Sequence, residues 1–192
     1  MKKLICLVLA LMLCMGAVAA MAAPSPTTDD MNETTANKPK TSTLVVKTID
    51  LNSAEYKALV EKCLAELEKL ENSESVAVYF GEVIDSEGNK VPFAELFGED
   101  ALTVCEMMPI VVENYDESLG DVKITLQFAT PFEKGEEVVV LIGLIDGQTG
   151  EVEWYALKGV GTGVNGAVEV VVTSKMMVAI QNGQALIAVL KK

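Results

Sequence analysis

The chain has 192 residues, with 28 acidic side chains against 15 lysines, and it contains neither Arg nor His. Its formal net charge of −13 argues against nucleic acid and anionic lipid headgroups as partners. Without His, no Ser-His or Cys-His catalytic site and no imidazole-ligated metal site can form, and without Arg there is no bidentate clamp for phosphate. Carboxylate chemistry, lysine chemistry and calcium bound through oxygen remain available.

The first 22 residues have the pattern of a secretory signal peptide. Two lysines precede an apolar stretch over residues 4–18, shorter than the roughly 20 residues of a membrane-spanning helix, and small residues follow up to Ala22. We therefore expect cleavage near Ala22 and a secreted or cell-surface-associated protein with no membrane-inserted segment afterwards. A lipoprotein signal at Cys14 is the less favoured alternative, because Leu13 stands where such signals have a small residue.

The rest of the chain divides into three regions. Residues 23–42 are rich in Thr, Pro and Asn with few apolar side chains, which predicts a disordered tether. Residues 43–98 predict a strand-helix-strand region, and residues 99–192 predict a β-rich, sandwich-like region. The predicted fold class is α+β, an antiparallel β-sandwich-like C-terminal part with the N-terminal strand-helix-strand unit packed on it.

In the N-terminal region the most regular pattern is an amphipathic helix over Ser53–Leu70. Its apolar residues recur at helical spacing, and charged residues such as Glu66 and Lys69 are assigned to the remaining, solvent-facing surface. Asn52 and Glu55 have the spacing of a capping box. The other elements predicted here are the strands Thr43–Leu51 and Val76–Ile84 and a short helix or loop that ends at Gly98.

The C-terminal region is a succession of predicted strands. Val122–Phe128 alternates between apolar and polar residues, which indicates a half-solvated antiparallel strand. The apolar runs Val138–Ile145 and Ala185–Leu190 indicate strands covered on both faces. Pro109 favours an edge position or a bulge, and Trp154 is predicted to lie in the core. The other elements are the strands Leu102–Val112, Glu151–Lys158 and Val168–Thr173 and a short helix stopped by Gly183.

The stretch GTGVNG, Gly161–Gly166, matches the glycine pattern of dinucleotide-binding loops. Such a loop joins a strand to a helix whose N-terminus receives the pyrophosphate. Here the β-branched run AVEVVVT follows, which favours a strand, and Asn165-Gly166 is a common pair in type I′ hairpin turns. We therefore predict a hairpin and no nucleotide or other cofactor.

Two acidic turns contain possible calcium ligands. Asp85, Glu87 and Asn89 place oxygen atoms at alternate positions, but the acidic residue that closes the usual calcium loop is not correctly placed. The segment DGQTGE, residues 146–151, is interpreted as a hairpin loop. Solvated turns are the favoured interpretation of both segments.

Glutamates near predicted strand ends are the carboxylates considered for a glycan hydrolase. They are Glu113, Glu151 and Glu153, and their separation cannot be obtained from the sequence. A charged surface is the favoured interpretation, and we assign no catalytic residue.

Cys63 and Cys105 would remain after cleavage of the signal peptide. In an exported protein two cysteines can form a disulfide, which here would close a loop of about 43 residues and stabilise by roughly 4 kcal/mol. We favour the alternative of two thiols that pack as small apolar groups, because a single pair does not make a disulfide-rich scaffold.

The last third of the chain resembles uncharacterised exported proteins of Gram-positive bacteria, some of them described as cell-surface or adhesion proteins. The resemblance is carried by core and turn residues in FATPFEKGEEVVVLIGLI, VEWYALKG and VEVVVTSKMMVAIQNGQALIAVL. It implies a β-rich extracellular fold and transfers no functional site. Our leading hypothesis is a non-catalytic secreted or cell-surface binding module with a protein, cell-envelope or glycan ligand. A small secreted carboxylate-based hydrolase and a secreted inhibitor or ligand-binding protein are the alternatives.

Overall fold

The computed structural model describes residues 44–98 and 102–191, together with the backbone of residues 32–34. All of them belong to one compact unit that covers residues 31–192. The elements within these ranges, in chain order, are β1 (Asn32–Thr34), β2 (Val45–Thr48), α1 (Lys57–Asn72), α2 (Val76–Phe80), β3 (Glu82–Ile84), β4 (Lys90–Pro92), α3 (Phe93–Phe97), β5 (Thr103–Glu113), a 3-10 helix (Glu117–Leu119), β6 (Val122–Gln127), β7 (Glu137–Ile145), β8 (Val152–Gly161), β9 (Ala167–Val172), α4 (Ser174–Asn182) and β10 (Gln184–Lys191).

The strands form one sheet whose two ends approach each other. Eight strands follow the order β1-β6-β9-β8-β7-β10-β5-β2, and neighbouring strands on this path are antiparallel. Strand β2 contacts both β1 and β6, so the sheet is nearly closed. The β3–β4 hairpin attaches to β8 through one parallel pair, Ile84 with Tyr155. The fold is therefore mostly antiparallel β with a nearly closed sheet and a few helices, which agrees with the predicted α+β class.

Buried apolar residues form two clusters, one on each face of this sheet. The inner cluster lies within the nearly closed sheet and includes Ile110, Ile124, Val140, Val170, Met177 and Ile187. The outer cluster lies between the helices α1–α3 and the other face of β5, β7, β8 and β10, and it includes Leu59, Cys63, Phe80, Phe93, Trp154 and Leu186. Because α1 supplies residues to the outer cluster, it is part of the helical layer that covers this face.

Strands β7 and β10 contribute to both clusters. Along β10, Ile187 belongs to the inner cluster and its neighbours Leu186 and Ala188 belong to the outer cluster. Each fully buried Leu, Ile or Val side chain stabilises the fold by roughly 1.5–3 kcal/mol. The predictions that the apolar runs are covered on both faces and that the amphipathic helix covers the sheet are confirmed.

The helix α1 begins later than predicted, at Lys57 instead of Ser53. The carboxylate of Asp50 accepts hydrogen bonds from the backbone N–H of Asn52 at 2.6 Å and from its side-chain amide at 2.9 Å. These bonds hold Asn52 in a turn, so it does not cap a helix at the next residue. The predicted capping box of Asn52 and Glu55 is therefore wrong.

The segment predicted as a strand over Val76–Ile84 is helical in its first part. The hydroxyl of Ser75 accepts a hydrogen bond from the N–H of Val78 at 3.1 Å, which caps α2. Gly81 follows with a φ of 57°, and only the residues after it form the strand β3. The β-branched composition favoured a strand, but the Ser75 cap and the burial of Phe80 in the outer cluster outweigh it.

Pro109 lies in β5, which has β10 on one side and β2 on the other. Its carbonyl accepts a hydrogen bond from the N–H of Ile49 at 2.9 Å, just beyond the last β2 pair, which involves Ile110. The N and O atoms of a strand residue point to the same side, so the missing N–H of Pro109 removes no bond to β10. The register with β10 shifts at Cys105, so the irregularity of this strand lies there and not at the proline.

Several other predicted patterns agree with the structure. Strand β6 alternates between buried and half-buried residues along its whole length. The helix α3 ends at Gly98 and α4 ends before Gly183. Trp154 is 4% exposed and lies in the outer cluster, as predicted.

The predicted signal peptide (residues 1–22) and Cys14 lie outside the described residues, as does most of the predicted tether (23–42). Within the tether, the backbone of β1 pairs with β6, from Asn32 opposite Leu126 to Thr34 opposite Ile124. These three residues form a strand where disorder was predicted. None of the described helices is long and apolar enough to cross a membrane.

Candidate functional site

The segment Gly161–Gly166 forms the predicted hairpin between β8 and β9. Asn165 and Gly166 both have positive φ, 34° and 77°, and the N–H of Ala167 donates to the carbonyl of Val164 at 2.7 Å. Two central residues with positive φ define a type I′ turn. The loop leads into a strand, so it presents no helix N-terminus to a pyrophosphate.

Gly166 packs tightly against the loop between β6 and β7. The N–H of Phe128 donates to the Gly166 carbonyl at 3.1 Å, and a Cβ at position 166 would lie 2.1 Å from the carbonyl oxygen of Phe128. The carboxylate of Glu106 holds the same loop by accepting the N–H of Thr130 at 2.6 Å. Burial raises the pKa of Glu106 above its ordinary value, because it outweighs the opposite effect of the hydrogen bond from Thr130. The close contact with this loop therefore explains why position 166 is a glycine.

The calcium candidates Asp85, Glu87 and Asn89 form the turn of the β3–β4 hairpin. The carboxylate of Asp85 accepts the backbone N–H groups of Glu87 and Asn89, each at 2.9 Å. These bonds, above all the one from Asn89, lower the pKa of Asp85. Within residues 44–98 and 102–191, no three acidic or cysteine side chains are grouped closely enough to hold a metal ion.

The structure separates Glu113 from Glu153 and from Glu151, which lies just before β8. Glu113 at the end of β5 pairs with Lys47 at 3.0 Å. Glu153 on β8 pairs with Lys90 at 3.1 Å, and strands β10 and β7 lie between β8 and β5. Each of these two carboxylates belongs to its own ion pair. Glu151 lines an open cavity, which is described below.

Cys63 and Cys105 are free thiols that pack on opposite faces of the sheet. The Sγ of Cys63 lies 3.7 Å from the carbonyl oxygen of Met107 in the outer cluster, and Cys105 packs against the inner cluster. Burial, followed by the charge of Glu66, raises the pKa of Cys63 to about 12, and burial also raises the pKa of Cys105. Both thiols are therefore protonated at neutral pH and are poor nucleophiles.

An open cavity of about 430 Å³ lies between the helices α1 and α2 and the start of β8. We call it the Glu66 cavity, and the side chains in its wall that matter below are those of Glu66, Lys69, Ser73, Tyr79, Glu151 and Trp154. Glu66 is 6% exposed and is the one charged residue buried in the part of the chain that the structure describes. The cavity is therefore our candidate functional site.

The two oxygens of Glu66 have different partners. The hydroxyl of Tyr79 donates to Oε2 at 2.9 Å, and the ammonium of Lys69 contacts Oε1 at 2.5 Å. Burial, followed by the negative charge of Glu66, raises the pKa of Tyr79 well above its ordinary value. The phenol therefore stays protonated and remains a hydrogen-bond donor.

Aromatic side chains fix the wall behind this carboxylate. The ring of Trp154 meets that of Phe80 edge to face at a centroid distance of 5.1 Å and lies 6.3 Å from that of Tyr79. Gly143 makes room for the indole, because a Cβ there would lie 2.7 Å from its nearest atom. The outer cluster thus holds Tyr79, and through it Glu66, in position.

Sequence reasoning missed Glu66, which it assigned to the solvent side of the helix. The residue follows Leu59 by seven positions and Cys63 by three, so it lies on the same stripe as these buried residues. This spacing is the signal that could have identified Glu66. Its acidic character hid the signal, because acidic residues are rarely buried.

A second open cavity of about 820 Å³ lies where the loop after β6 meets the end of β10. Its wall includes Phe132, Lys134, Glu136 and Lys191, and the ammonium of Lys191 lies 5.7 Å from the centroid of the Phe132 ring. None of its charged side chains is buried. Its chemistry is therefore that of a solvated surface.

The chain matches no family model, and comparison with curated proteins and with solved structures finds no significant match. The resemblance of residues 128–190 to exported proteins of Gram-positive bacteria therefore remains an expectation. Function has to be argued from the residues of the Glu66 cavity.

Proposed function

We propose that the protein is a non-catalytic binding module, secreted or associated with the cell surface, and that the Glu66 cavity is its ligand site. The observation that carries the proposal is the buried carboxylate of Glu66 in the wall of an open cavity. Burying a charge is unfavourable unless the charge is paired and hydrogen-bonded. Packing alone therefore does not account for a glutamate at this buried position. A few fixed polar groups beside aromatic side chains are the usual composition of a ligand pocket.

The wall of the cavity is held in place before any ligand binds. Tyr79 and Trp154 contact each other and Phe80, and Tyr79 in turn holds Glu66. A site whose side chains are already ordered loses little conformational entropy on binding. This preorganisation supports recognition of a small group on a larger ligand.

The ligand that we propose is a protein, cell-envelope component or glycan that presents hydrogen-bond donors. The carboxylates of Glu66 and Glu151 and the hydroxyl of Ser73 can accept hydrogen bonds from hydroxyl or ammonium groups. Phosphate-rich ligands fit less well, because the chain has a net charge of −13 and no Arg.

The remainder of the chain supports export and display. The pattern of residues 1–22 favours secretion, and the part of the predicted tether that precedes β1 would separate the folded unit from a surface. We also propose the sandwich-like form for the nearly closed sheet. In the ring of eight strands, β6 and β10 are four places apart, which would place them opposite each other across the inner cluster.

Binding of the purified protein to cell-envelope fractions and to immobilised glycans tests the proposal. Glu151→Gln removes an exposed carboxylate from the cavity wall, and we expect it to weaken retention at least tenfold. Glu61→Gln is the matched control, since Glu61 is an exposed residue of α1 outside the cavity wall, and it should leave retention unchanged. Equal retention of the two variants, or no retention of the wild type on any surface, would contradict the proposal.

A carboxylate-based glycan hydrolase is the second candidate, because Glu66 and Glu151 line the same cavity. Two carboxylates can hydrolyse a glycosidic bond when one acts as an acid and the other as a base or nucleophile. Release of reducing sugars from a glycan panel, abolished by Glu151→Gln, would favour this candidate. Binding of the same glycans without product release favours the binding module.

A further inference from the structure

We infer that the group recognised in the Glu66 cavity is a primary alkylammonium, which takes the place that the ε-ammonium of Lys69 occupies in the free protein. This inference rests on the proposed function, because it names the ligand chemistry of the proposed site. Lys69 is itself an alkylammonium in contact with Glu66. The contact of Lys69 with Glu66 is therefore an example, within the chain, of the contact that we infer for the ligand.

The two partners of this ion pair are held with different firmness. The side chain of Glu66 is 8% exposed, and its Oε2 is bonded to the hydroxyl of Tyr79. The side chain of Lys69 is 63% exposed, so its long stem is largely solvated. An exposed lysine loses little by leaving an ion pair, because pairing also restricts its rotamers. Lys69 can therefore be displaced while Glu66 stays fixed.

Displacement of Lys69 leaves an anionic wall. The two remaining charged groups are the carboxylates of Glu66 and Glu151, and the raised pKa of Tyr79 keeps its phenol neutral. Lys62, another lysine of α1, does not take the place of Lys69, because its ammonium lies close to Gly150. A buried carboxylate without a cation is unfavourable, and an ammonium from the ligand restores the pairing.

The surroundings of Glu66 also suit the alkyl part of such a ligand. Tyr79 and Trp154 present aromatic carbon to the same cavity. Methylene groups next to an ammonium pack on such surfaces while the charged end pairs with a carboxylate. A quaternary ammonium has no N–H group and cannot replace the hydrogen bond that Lys69 donates to Oε1. We therefore expect a primary ammonium to be preferred.

Titration with n-butylammonium, which reproduces the side chain of lysine, tests the inference. Calorimetry at constant ionic strength should give a Kd at least tenfold lower for Lys69→Ala than for the wild type, because the variant lacks the internal competitor. Butylammonium should also raise the Tm of Lys69→Ala more than equal concentrations of NaCl or tetramethylammonium chloride do. Equal affinity of variant and wild type would overturn the inference.

Two further variants show where the ammonium binds. Lys62→Ala removes a lysine of the same helix that does not contact Glu66, so this variant should bind butylammonium as the wild type does. The double variant Lys69→Ala/Glu66→Gln has no anion at the proposed position and should not bind; binding by this variant would overturn the inference. If Lys69→Ala does not fold, Lys69→Met keeps the apolar stem and serves in the same comparison.

The results also separate this inference from the proposed function. Retention on envelope fractions that depends on Glu151, without butylammonium binding by Lys69→Ala, would keep the binding module and overturn its ammonium ligand. Butylammonium binding without retention that depends on Glu151 would support the ammonium site and contradict the proposed larger ligand.

Discussion

Glu106 and Glu66 are two carboxylates whose surroundings give them different roles. Glu106 lies next to the register shift of β5 and accepts the N–H of Thr130, so it fastens the loop after β6. Glu66 accepts the hydroxyl of Tyr79 and pairs with an exposed lysine beside an open cavity. Glu106 therefore has a structural role. Glu66 differs because one of its partners, Lys69, is exposed to solvent and can be replaced.

The raised pKa of Glu106 predicts how its contribution to stability depends on pH. The folded state holds this proton more tightly than the unfolded state, so the free energy of unfolding falls as pH rises from about 4.3, the ordinary Glu pKa, through the raised folded value. Glu106→Gln is neutral at every pH and can still accept the N–H of Thr130. We expect the variant to gain stability relative to the wild type as pH rises from about 4.3, as measured by urea unfolding at a series of pH values.

Glu153 provides a control of opposite sign. Its hydrogen bond from Tyr155, together with Lys90, lowers its pKa, so it stabilises the fold above the unfolded pKa and loses this effect as pH falls. Glu153→Gln should therefore lose stability relative to the wild type as pH rises towards about 4.3, the ordinary Glu pKa, and the deficit should stay constant at higher pH. The same sign for both variants would contradict the assignment of burial as the cause at Glu106.

At the scale of elements, the β8–β9 hairpin depends on Gly166. Valine at this position would need a positive φ of 77° and would place its Cβ 2.1 Å from the carbonyl oxygen of Phe128. We expect Gly166→Val to lower the free energy of unfolding by about 3 kcal/mol or more, from backbone strain and overpacking together. Thermal or urea unfolding measures this change.

Val164 offers a matched control in the same hairpin, because it is 63% exposed. Val164→Ala should change the free energy of unfolding by less than about 0.5 kcal/mol. The hairpin assignment also implies that NAD leaves the Tm of the wild type unchanged. A Tm that rises with NAD concentration would contradict this assignment and revive the dinucleotide loop.

The elements that the sequence predicts correctly are those whose apolar residues either alternate regularly or form one continuous run. The alternation of β6 and the apolar runs of β7 and β10 report directly which faces are covered. The segment Val76–Phe80 is too short to show a period, and the cap at Ser75 decides its structure. The start of α1 depends similarly on one contact, from Asn52 to Asp50. Such single contacts are not visible in residue composition.

The candidate site is less predictable than the fold for a related reason. Of the glutamates considered from the sequence, only Glu151 lines the Glu66 cavity. The partner of Glu66 on α2, Tyr79, belongs to a segment predicted as a strand, so their contact could not be anticipated. The cavity depends on how α1 and α2 meet β8, and this arrangement is a property of tertiary packing.

At the scale of the whole molecule, the inner and outer clusters share their strands. Strands β5, β7 and β10 each supply residues to both clusters, so neither cluster can be lost without disrupting a strand of the other. Small units with such shared packing usually unfold in one cooperative step. The helices over the outer face are therefore expected to unfold together with the sheet, although they lie outside it.

Trp154 makes this cooperativity measurable, because it is the one Trp of the chain and lies in the outer cluster. Ile124→Val shortens a 1% exposed side chain of the inner cluster and should lower the free energy of unfolding by about 0.5–1.5 kcal/mol. We expect the Tm from Trp154 fluorescence to fall together with the Tm from far-ultraviolet circular dichroism. The control Val171→Ala, at a residue that is 54% exposed, should leave both values unchanged. The outer layer would unfold on its own if Ile124→Val left the fluorescence Tm unchanged, or if the fluorescence Tm were lower than the Tm from circular dichroism.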